Sequence, residues 1–378
     1  MRTININTKE FLECLEVVGN AIPSKSAIPS LTSVLIKFEE GRIILLGSDG
    51  SISIKKVMFA NEINNFVVEE KGVCLVDFKI LKAIVGKVDD EILHFNVEDN
   101  QFVIRTPKGT YKLNLLNEQD YPSIDFKRLE NEINISTKNL KDIIKYTYFS
   151  CSTNERRPIL TGINFQIEND SLVAVSTDSF RLSQMKTNIR DTKEEKINFT
   201  FPKNSLIVLE KLISKTKEED ITLLYGNSNE ILINVDNTLY KTRMLSGAYP
   251  SVSGIVDMIS TPNYTCSINR NALYNGIEIV NIFNAIDYRT ITLNFVSDGY
   301  VEITNRDTEV GNGKKVISCP SCDFNLKISC SSEYLLDALK CYESEEVQIN
   351  MNESLKPFTI TSTERQELLE LLLPIKSE

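Results

Sequence analysis

Apolar and polar residues follow two spacings along this chain, and the two spacings recur in a fixed order. Six segments have apolar residues at the three- and four-residue spacing of an amphipathic helix, and each follows an extended stretch and a polar start signal. These predicted helices begin, at intervals of 60 to 69 residues, at Thr8, Asp77, Thr137, Lys203, Arg270 and Ser332. We expect Thr8 and Thr137 to act as N-caps.

Between the helices, apolar and polar residues alternate with a period of two. Stretches such as GRIILLGSD and SLVAVSTDS alternate in this way, and Gly, Asn and Asp mark the turns, which is typical of antiparallel hairpins. The chain is therefore predicted to be α+β, with three repeated domains that each pack two helices on antiparallel sheets. The predicted domains are 1–127, 128–252 and 253–378, with boundaries after the matching turns DYPSID and AYPSVSG. An ordinary α+β protein with accidental spacing is the alternative.

Composition narrows the class of protein. The chain has 42% hydrophobic and 25% charged residues, which excludes disordered and collagen-like classes. It has no apolar run of roughly 18 residues and no apolar segment at its N-terminus, so we expect a cytoplasmic protein. The eight cysteines are expected to be reduced thiols in that compartment.

Charge is distributed unevenly. The net charge is −10, yet the six predicted helices together carry +4 and the rest of the chain −14. On the third helix, Lys138, Lys141 and Lys145 fall on the side opposite Leu140 and Ile143. A solvated lysine face is the ordinary explanation for one such helix. Several basic helices without a base-reading motif indicate contact with phosphate groups that does not depend on sequence.

Several short segments resemble one known family. Ser176-Thr177-Asp178-Ser179-Phe180-Arg181-Leu182 is similar to its Ala-Thr-Asp-Xaa-His-Arg-Leu segment, and Leu373-Pro374-Ile375 to its C-terminal Met-Pro segment. Tyr121-Pro122 and Tyr249-Pro250 match its aromatic-Pro turns, and Ile28-Pro29-Ser30-Leu31 its early Pro turn. Together with the repeats and basic helices, these segments resemble the bacterial sliding clamps, the beta subunits of DNA polymerase III, over essentially the whole chain.

The resemblance implies a non-catalytic processivity factor without a cofactor. Two chains would form a head-to-tail ring that encircles double-stranded DNA, slides along it, and tethers the polymerase, the clamp loader and repair proteins through short peptides with Leu and Phe. The implied DNA-facing cations are Lys25, Lys79, Lys82, Lys138, Lys141, Arg157 and Lys203. The implied peptide pocket comprises Thr177, Ser179, Phe180, Arg181, Leu182, Pro250, Ile255, Pro357, Leu371 and Leu373. The implied dimer interface places Tyr111 of one chain against Ile282 and Phe283 of the other.

The chain departs from the family pattern at three places. Phe180 replaces the common His, and Gly254 stands where a larger or basic residue is frequent. The first helix is acidic, with Glu10, Glu13 and Glu16. These departures leave open which peptides the pocket prefers and how closely the first helix approaches DNA.

Two rival functions use other residues. Asp49 and Asp178 lie in similar strand-end turns and could serve a metal-dependent hydrolase, although turn formation is the simpler role for both. Cys319-Pro-Ser-Cys322, with Cys330 and Cys341, lacks the second Cys-Xaa-Xaa-Cys of a common zinc site. Residues 311–314 lack the full pattern of a phosphate-binding P-loop. The single histidine, His94, is expected to lie on a strand face. The third possibility is an interaction scaffold that does not bind DNA.

Overall fold

The computed structural model describes residues 4–61, 66, 68, 70–189, 196–226, 228–284, 289–305 and 309–376. All six predicted helices are present, and each begins at the predicted residue or one residue after it. The short α5, which the apolar pattern did not predict, completes the set within this part of the chain. The helices are α1 (Thr8–Gly19), α2 (Phe78–Val85), α3 (Thr137–Thr147), α4 (Lys203–Ile213), α5 (Ser253–Met258), α6 (Arg270–Asn281) and α7 (Ser332–Lys340). Short 3-10 helices cover Pro29–Thr32, Glu118–Asp120, Tyr148–Ser150 and Pro158–Thr161.

The strands fall into three groups of eight within the described residues, one group for each repeat. The first group is β1 (Ile4–Asn7), β2 (Ser33–Glu39), β3 (Arg42–Ser48), β4 (Ile52–Phe59), β5 (Gly72–Asp77), β6 (Ile92–Glu98), β7 (Gln101–Thr106) and β8 (Gly109–Asn114). The second is β9 (Asn131–Ser136), β10 (Gly162–Glu168), β11 (Ser171–Thr177), β12 (Arg181–Asn188), β13 (Lys196–Pro202), β14 (Asp220–Tyr225), β15 (Glu230–Val235) and β16 (Thr238–Arg243). The third is β17 (Tyr264–Asn269), β18 (Thr290–Val296), β19 (Tyr300–Asn305), β20 (Lys314–Ser318), β21 (Leu326–Ser331), β22 (Glu346–Met351), β23 (Phe358–Ser362) and β24 (Arg365–Leu372).

The predicted N-caps were wrong by one residue. Asn7 caps α1, because its Oδ1 accepts a hydrogen bond from the Glu10 amide at 3.2 Å. Thr8 instead donates its hydroxyl hydrogen to the Asp90 carbonyl. Thr137 likewise donates to the Glu218 carbonyl, at 2.6 Å. Because each strand runs directly into its helix, the last strand residue takes the capping position and the threonine holds a neighbouring loop.

The apolar helix faces pack on the sheets as the sequence predicts. On α1, Phe11 and Leu15 are fully buried. The ring of Phe11 meets that of Phe95 edge to face at 4.8 Å, and Phe95 in turn lies 5.0 Å from Phe102. Burial of such large apolar groups is the main favourable contribution to folding. The strand-face prediction for His94 is also confirmed, since it lies on β6 with Nδ1 2.7 Å from Asn5 Oδ1.

The described residues form two compact units. The first contains residues 4–141 and 204–244, and the second contains residues 142–189, 196–203 and 245–376. In the first unit, one sheet has the order β1-β6-β7-β8 and a larger one the order β5-β2-β3-β4-β16-β15-β14-β9. In the second unit, the orders are β13-β10-β11-β12-β24-β23-β22-β17 and β20-β19-β18-β21. The sheet pairings given by the register are antiparallel, as predicted.

Each eight-stranded sheet joins two successive repeats at one pair of strands. β4 of the first repeat pairs with β16 of the second, with Ile54 opposite Tyr240. β12 of the second repeat pairs with β24 of the third, with Leu182 opposite Leu371. The fourth strand of one repeat therefore pairs with the eighth strand of the next. Each compact unit contains one of these joints and therefore parts of two predicted domains. The domain boundaries at 127 and 252 stay predictions.

Candidate nucleic-acid interface and partner-binding site

The lysine faces of α2 and α3 form as the sequence predicts. On α3, Leu140 and Ile143 are fully buried while Lys138 is exposed. On α2, Leu81 is buried and Lys79 is exposed. The apolar stripe of each helix packs on its sheet, which directs the ammonium groups to the opposite side.

The other predicted DNA-facing cations lie on loops and helix ends. Lys25 is exposed in the segment that follows α1, and Arg157 is exposed directly before the 3-10 helix Pro158–Thr161. Lys203 begins α4, with its Nζ 5.3 Å from the centre of the Tyr148 ring. Lys141 and Lys82 are half-buried, and Lys141 Nζ donates a 3.5 Å hydrogen bond to the Ser214 carbonyl. Lys25, Lys79, Lys82, Lys138 and Lys141 belong to the first compact unit, and Arg157 and Lys203 to the second.

The acidic face of α1 shares a cleft with lysines of neighbouring elements. Glu10, Glu13 and Glu16 line an open cleft of about 890 Å³ in the first compact unit. Four lysines line the same cleft: Lys56, Lys82, Lys211 and Lys215. The carboxylates of α1 therefore offset part of the positive charge there. Lys56 was not among the predicted cations, because strand alternation alone does not show which helix a strand lysine approaches.

A leucine-rich cluster gathers several of the predicted pocket residues. Leu182 and Leu371 are each 3% exposed and pack with Leu373 at the joint between β12 and β24. Sequence reasoning missed the other members of the cluster, although Tyr249 lies in the aromatic-Pro turn that it had identified. These members are Val173, Val175, Tyr249, Val252, Ile259 and Leu369. Because Leu182 and Leu371 are buried, the exposed surface beside this cluster is formed by other side chains.

A tight turn presents Phe180 to solvent. Thr177 is buried, and its hydroxyl donates to the Arg181 carbonyl and accepts from the Ser179 amide. Ser179 has φ +80, the left-handed region that few non-glycine residues adopt. Phe180 is consequently 62% exposed, although its carbonyl accepts a 2.9 Å hydrogen bond from the Leu373 amide.

The remaining predicted pocket residues lie on three separate segments. Pro250 is exposed in the turn before α5, and Ile255 on α5 is 40% exposed. Pro357 is half-buried directly before β23, whose first residue, Phe358, pairs with Leu372. The structure thus brings Leu182, Leu371 and Leu373 into one cluster and leaves Phe180, Pro250 and Ile255 exposed.

Arg181 is fixed by protein groups on every side. Its guanidinium donates to Asp178 at 3.1 Å, to Asp337 at 2.8 Å and to the Phe149 carbonyl at 2.7 Å. It also lies 4.1 Å from the centre of the Tyr334 ring. Two carboxylates already neutralise this cation, so its role in the site is to tie the Phe180 turn to α7.

A buried carboxyl group lies at the same strand joint. Glu370 is 2% exposed, and its Oε2 accepts a 2.5 Å hydrogen bond from Ser183 on the paired strand β12. The Ser183 hydroxyl is in turn 2.6 Å from that of Ser150. Burial raises the pKa of Glu370 well above its usual range, since the charged form loses its hydration. The Ser183 and Cys341 side chains and the charge of Arg181 oppose this shift in the pKa, and the charge of Asp337 adds to it.

The strand-end aspartates form turns, as expected. Asp49 Oδ1 accepts from the amides of Ser51 and Ile52 at 2.7 and 2.6 Å. Asp178 Oδ1 accepts from the amides of Phe180 and Arg181 at 2.9 and 3.0 Å. The two aspartates lie in different compact units. Over the described ranges, no group of three or more His, Cys, Asp or Glu side chains could hold a metal ion, and the hydrolase alternative is not supported.

Three helix-and-sheet repeats with lysine-bearing helices and a leucine-rich cluster at a strand joint define a DNA clamp. Models of the N-terminal, central and C-terminal domains of the DNA polymerase III beta subunit match residues 2–125, 134–251 and 261–376. The chain belongs to the DNA polymerase III beta-subunit family. Its relatives are named sliding clamps, which are processivity factors and not catalytic subunits.

Relatives resemble the chain over its full length. It is 29% identical to the beta sliding clamps of Staphylococcus epidermidis RP62A, over 383 residues, and Staphylococcus aureus Mu50, over 385 residues, covering 100% of both chains in each case. The crystal structure of the Bacillus subtilis sliding clamp superposes with a TM-score of 0.93 at 26% identity, covering 100% of this chain and 99% of that one. The Streptococcus pneumoniae beta chain also gives 0.93, at 29% identity and 100% coverage of both. Among the described residues, no helix is long and apolar enough to span a membrane.

The buried carboxyl predicts a specific pH dependence of stability. Because the pKa of Glu370 is higher in the folded protein than the ~4.3 of an unfolded chain, its contribution to stability is complete below the unfolded pKa and is lost as pH rises through the folded pKa. We expect Glu370→Gln, which keeps an acceptor for Ser183 but cannot ionise, to flatten the fall in Tm as the pH rises above the unfolded pKa of ~4.3 toward the raised folded pKa.

Thermal unfolding followed by circular dichroism measures this slope. Glu367→Gln is the matched control, because Glu367 is on the same strand but exposed, and it should keep the wild-type slope. Identical slopes for Glu370→Gln and wild type would show that Glu370 does not titrate in this range.

Proposed function

We propose that two copies of this chain close head to tail into a ring around duplex DNA, slide along it without reading its sequence, and tether a DNA polymerase and other proteins in the cytoplasm. The observation that carries the proposal is the repeated strand joint. β4 pairs with β16 and β12 with β24, each the fourth strand of one repeat with the eighth of the next. The same rule leaves β20, a fourth strand, and β8, an eighth strand, each at a sheet edge within the described part of the chain.

Pairing β20 of one copy with β8 of another repeats this joint between chains. Such a contact is head to tail. In a closed ring of two copies, both β8 edges and both β20 edges are paired. Apolar side chains flank both edges. Tyr111 on β8 is 37% exposed, and Ile80 on α2, which lines the same cavity, is 53% exposed. Val316 on β20 is 48% exposed, and Ile282, next to α6, is 76% exposed. Their burial would favour the joint.

The dimer interface is tested by Phe283→Ala. The half-buried Phe283 ring lies so close to Gly313, the residue before β20, that a Cβ atom at Gly313 would be 2.8 Å from it. Removing the ring takes away support for the edge strand, so we expect monomers in sedimentation velocity at concentrations where wild type is dimeric. Leu355→Ala, which truncates a side chain 61% exposed outside the interface, is the control and should stay dimeric. An unchanged dimer for Phe283→Ala would remove Phe283 from the interface.

DNA contact in this proposal is electrostatic. Lys25, Lys79, Lys82, Lys138, Lys141, Arg157 and Lys203 are proposed to face the phosphates, and their amines and guanidinium need no particular base. The carboxylates of α1 in the cleft with Lys56 and Lys82 make the charge of the DNA-facing surface uneven. Loose, charge-based contact suits a tether that has to move along the duplex.

Topological retention separates the ring from its rivals. We expect the protein, placed by a clamp loader on closed circular DNA, to stay with the DNA through gel filtration and to leave after one cut linearises the circle. A scaffold that does not bind DNA would show no retention on either form. A protein that binds the duplex from one side would remain after linearisation.

The phosphate contacts are tested by replacing two exposed lysines, Lys79→Gln with Lys138→Gln. We expect non-specific binding to weaken and the negative slope of log K against log salt to become less steep by about 2, since each phosphate contact contributes roughly −0.9 to the slope. Lys196→Gln on β13 is the control, because Lys196 already lies 3.5 Å from Glu168. A slope equal to that of wild type would remove Lys79 and Lys138 from the DNA-facing set.

The partner site is proposed at the leucine-rich cluster. Phe180, two residues before the buried Leu182, is exposed, and so is Ile255, which lies in sequence between the cluster members Val252 and Ile259. An apolar surface of this kind suits short peptides with Leu and Phe anchors. Thr177, Ser179 and Arg181 hold the turn that presents Phe180, and Pro250, Pro357 and Leu373 are further proposed members of the site.

Peptide binding is tested by Phe180→Ala with Ile255→Ala. Loss of two exposed apolar contacts should lower the affinity for a fluorescent peptide with Leu and Phe about tenfold or more, as measured in anisotropy titrations. Phe59→Ala, 48% exposed in the first compact unit, should bind like wild type. Equal affinity in the double variant would place the peptide elsewhere.

A further inference from the structure

A group of cysteines in the third repeat has no role in the proposed clamp function. Cys266 lies on β17, and Cys319 and Cys322 belong to the Cys-Pro-Ser-Cys turn that follows β20. All three side chains are buried, at 0 to 1% exposure. Three thiols from two separate chain segments meet within one compact unit, and the described residues show no metal-holding group there.

Hydrogen bonds hold the turn against β17. The Cys322 amide donates to the Cys319 carbonyl at 2.9 Å, which closes the turn. Ser321 Oγ accepts from the Ser267 amide at 2.7 Å and donates to the Ser267 carbonyl at 3.0 Å. Cys319 Sγ donates to the same carbonyl at 3.3 Å, which directs this sulfur toward the strand residue next to Cys266.

Cys266 and Cys319 are neighbours, because Cys319 Sγ lies 3.3 Å from the carbonyl oxygen of Ser267, the residue after Cys266. The side chain of Cys266 hydrogen-bonds that of Cys319, and this bond is the largest cause of the lowered pKa of Cys319. The Ser321 hydroxyl, 3.7 Å from Cys319 Sγ, and the Cys322 amide act in the same direction on that pKa. Cys330 differs, because burial alone raises the pKa of its thiol to about 12. A thiol whose anion is stabilised reacts faster with oxidants.

The turn also gives the buried sulfur a short path to solvent. Ser318, Pro320, Ser321 and Asp323 are exposed around the cysteines. The buried Cys319 sulfur therefore belongs to a turn whose neighbouring residues are exposed. Local opening of such a segment requires far less free energy than global unfolding.

We propose that Cys319 and Cys266 form a reversible disulfide when the protein meets a peroxide. The Cys319 thiolate attacks one oxygen of hydrogen peroxide, an S–O bond forms, the O–O bond breaks, and hydroxide leaves and takes up the thiol proton as water. The sulfur of Cys266 then attacks the sulfur of the Cys319 sulfenic acid. The S–S bond forms and the S–O bond breaks, and the released hydroxide combines with the thiol proton of Cys266 to give water. Two thiols lose two electrons, and one peroxide becomes two waters.

The disulfide would tie the end of β20 to β17. These strands belong to different sheets of the second compact unit, and the turn is joined to β17 by non-covalent contacts, among them the hydrogen bonds between Ser267 and Ser321. A covalent link between residues far apart in sequence restricts the unfolded chain, so the oxidised protein should have a higher Tm than the reduced one. The bond is expected to form transiently, because the cytoplasm reduces most disulfides.

Peptide mapping of the full-length wild-type protein tests the proposal without any substitution. Reduced protein is treated with hydrogen peroxide, blocked with N-ethylmaleimide, digested without reduction and analysed by mass spectrometry. We expect a peptide that links Cys266 to Cys319 and disappears after dithiothreitol. A link between Cys319 and Cys322, or free thiols at all three positions while the folded protein is oxidised elsewhere, would overturn the assignment.

Two variants separate the roles of the sulfurs. In Cys266→Ser, Cys319 should remain as a sulfenic acid that dimedone traps; in Cys319→Ser, neither link nor dimedone adduct should form at Cys266. Cys330→Ser, a buried cysteine outside the group, is the control and should keep the link. Cys319 in wild type should react with peroxide roughly tenfold or more faster than Cys330; equal rates would contradict the proposed activation.

Discussion

Backbone pairing between the fourth strand of one repeat and the eighth strand of the next is the constraint on which this structure depends. At β4–β16 and β12–β24 it joins four-stranded halves from successive repeats into continuous sheets. Exposed strand edges invite further pairing, so a repeat chain has to consume its edges or protect them. The two joints use the fourth strands β4 and β12 and the eighth strands β16 and β24; among the described fourth and eighth strands, β20 and β8 stay at sheet edges, and we propose that a second copy pairs there.

The proposed partner-binding site depends on the same joint. Leu182 and Leu371 face each other across β12 and β24, so one strand from each of two repeats supplies the cluster. Arg181 and Glu370 lie at this joint too, one neutralised by two aspartates and the other buried beside Ser183. Polar groups that satisfy one another in a buried joint fix its geometry, and they therefore set where Phe180 is presented.

The charge distribution has its origin in how the helices pack. Apolar residues of α2 and α3 are committed to the sheets, so their lysines have to lie on the opposite face. Acidic residues dominate the remainder of the chain, which keeps the net charge at −10. The glutamates of α1 are a local exception that shares its cleft with four lysines. Attraction for a polyanion is thus confined to particular helix faces of an acidic protein.

Periodicity along the chain determined the α+β class, the six long helices, the antiparallel pairing and the lysine faces of α2 and α3, because each depends on residues a few positions apart. The caps were missed by one residue, since Thr8 and Thr137 bind loops about 80 residues away. The strand joints, the cleft between α1 and Lys56, the burial of Glu370 and the contact between Cys266 and Cys319 were decided only by the tertiary structure. Each depends on which segments distant in sequence become neighbours, and the local spacing of apolar residues does not predict these neighbours.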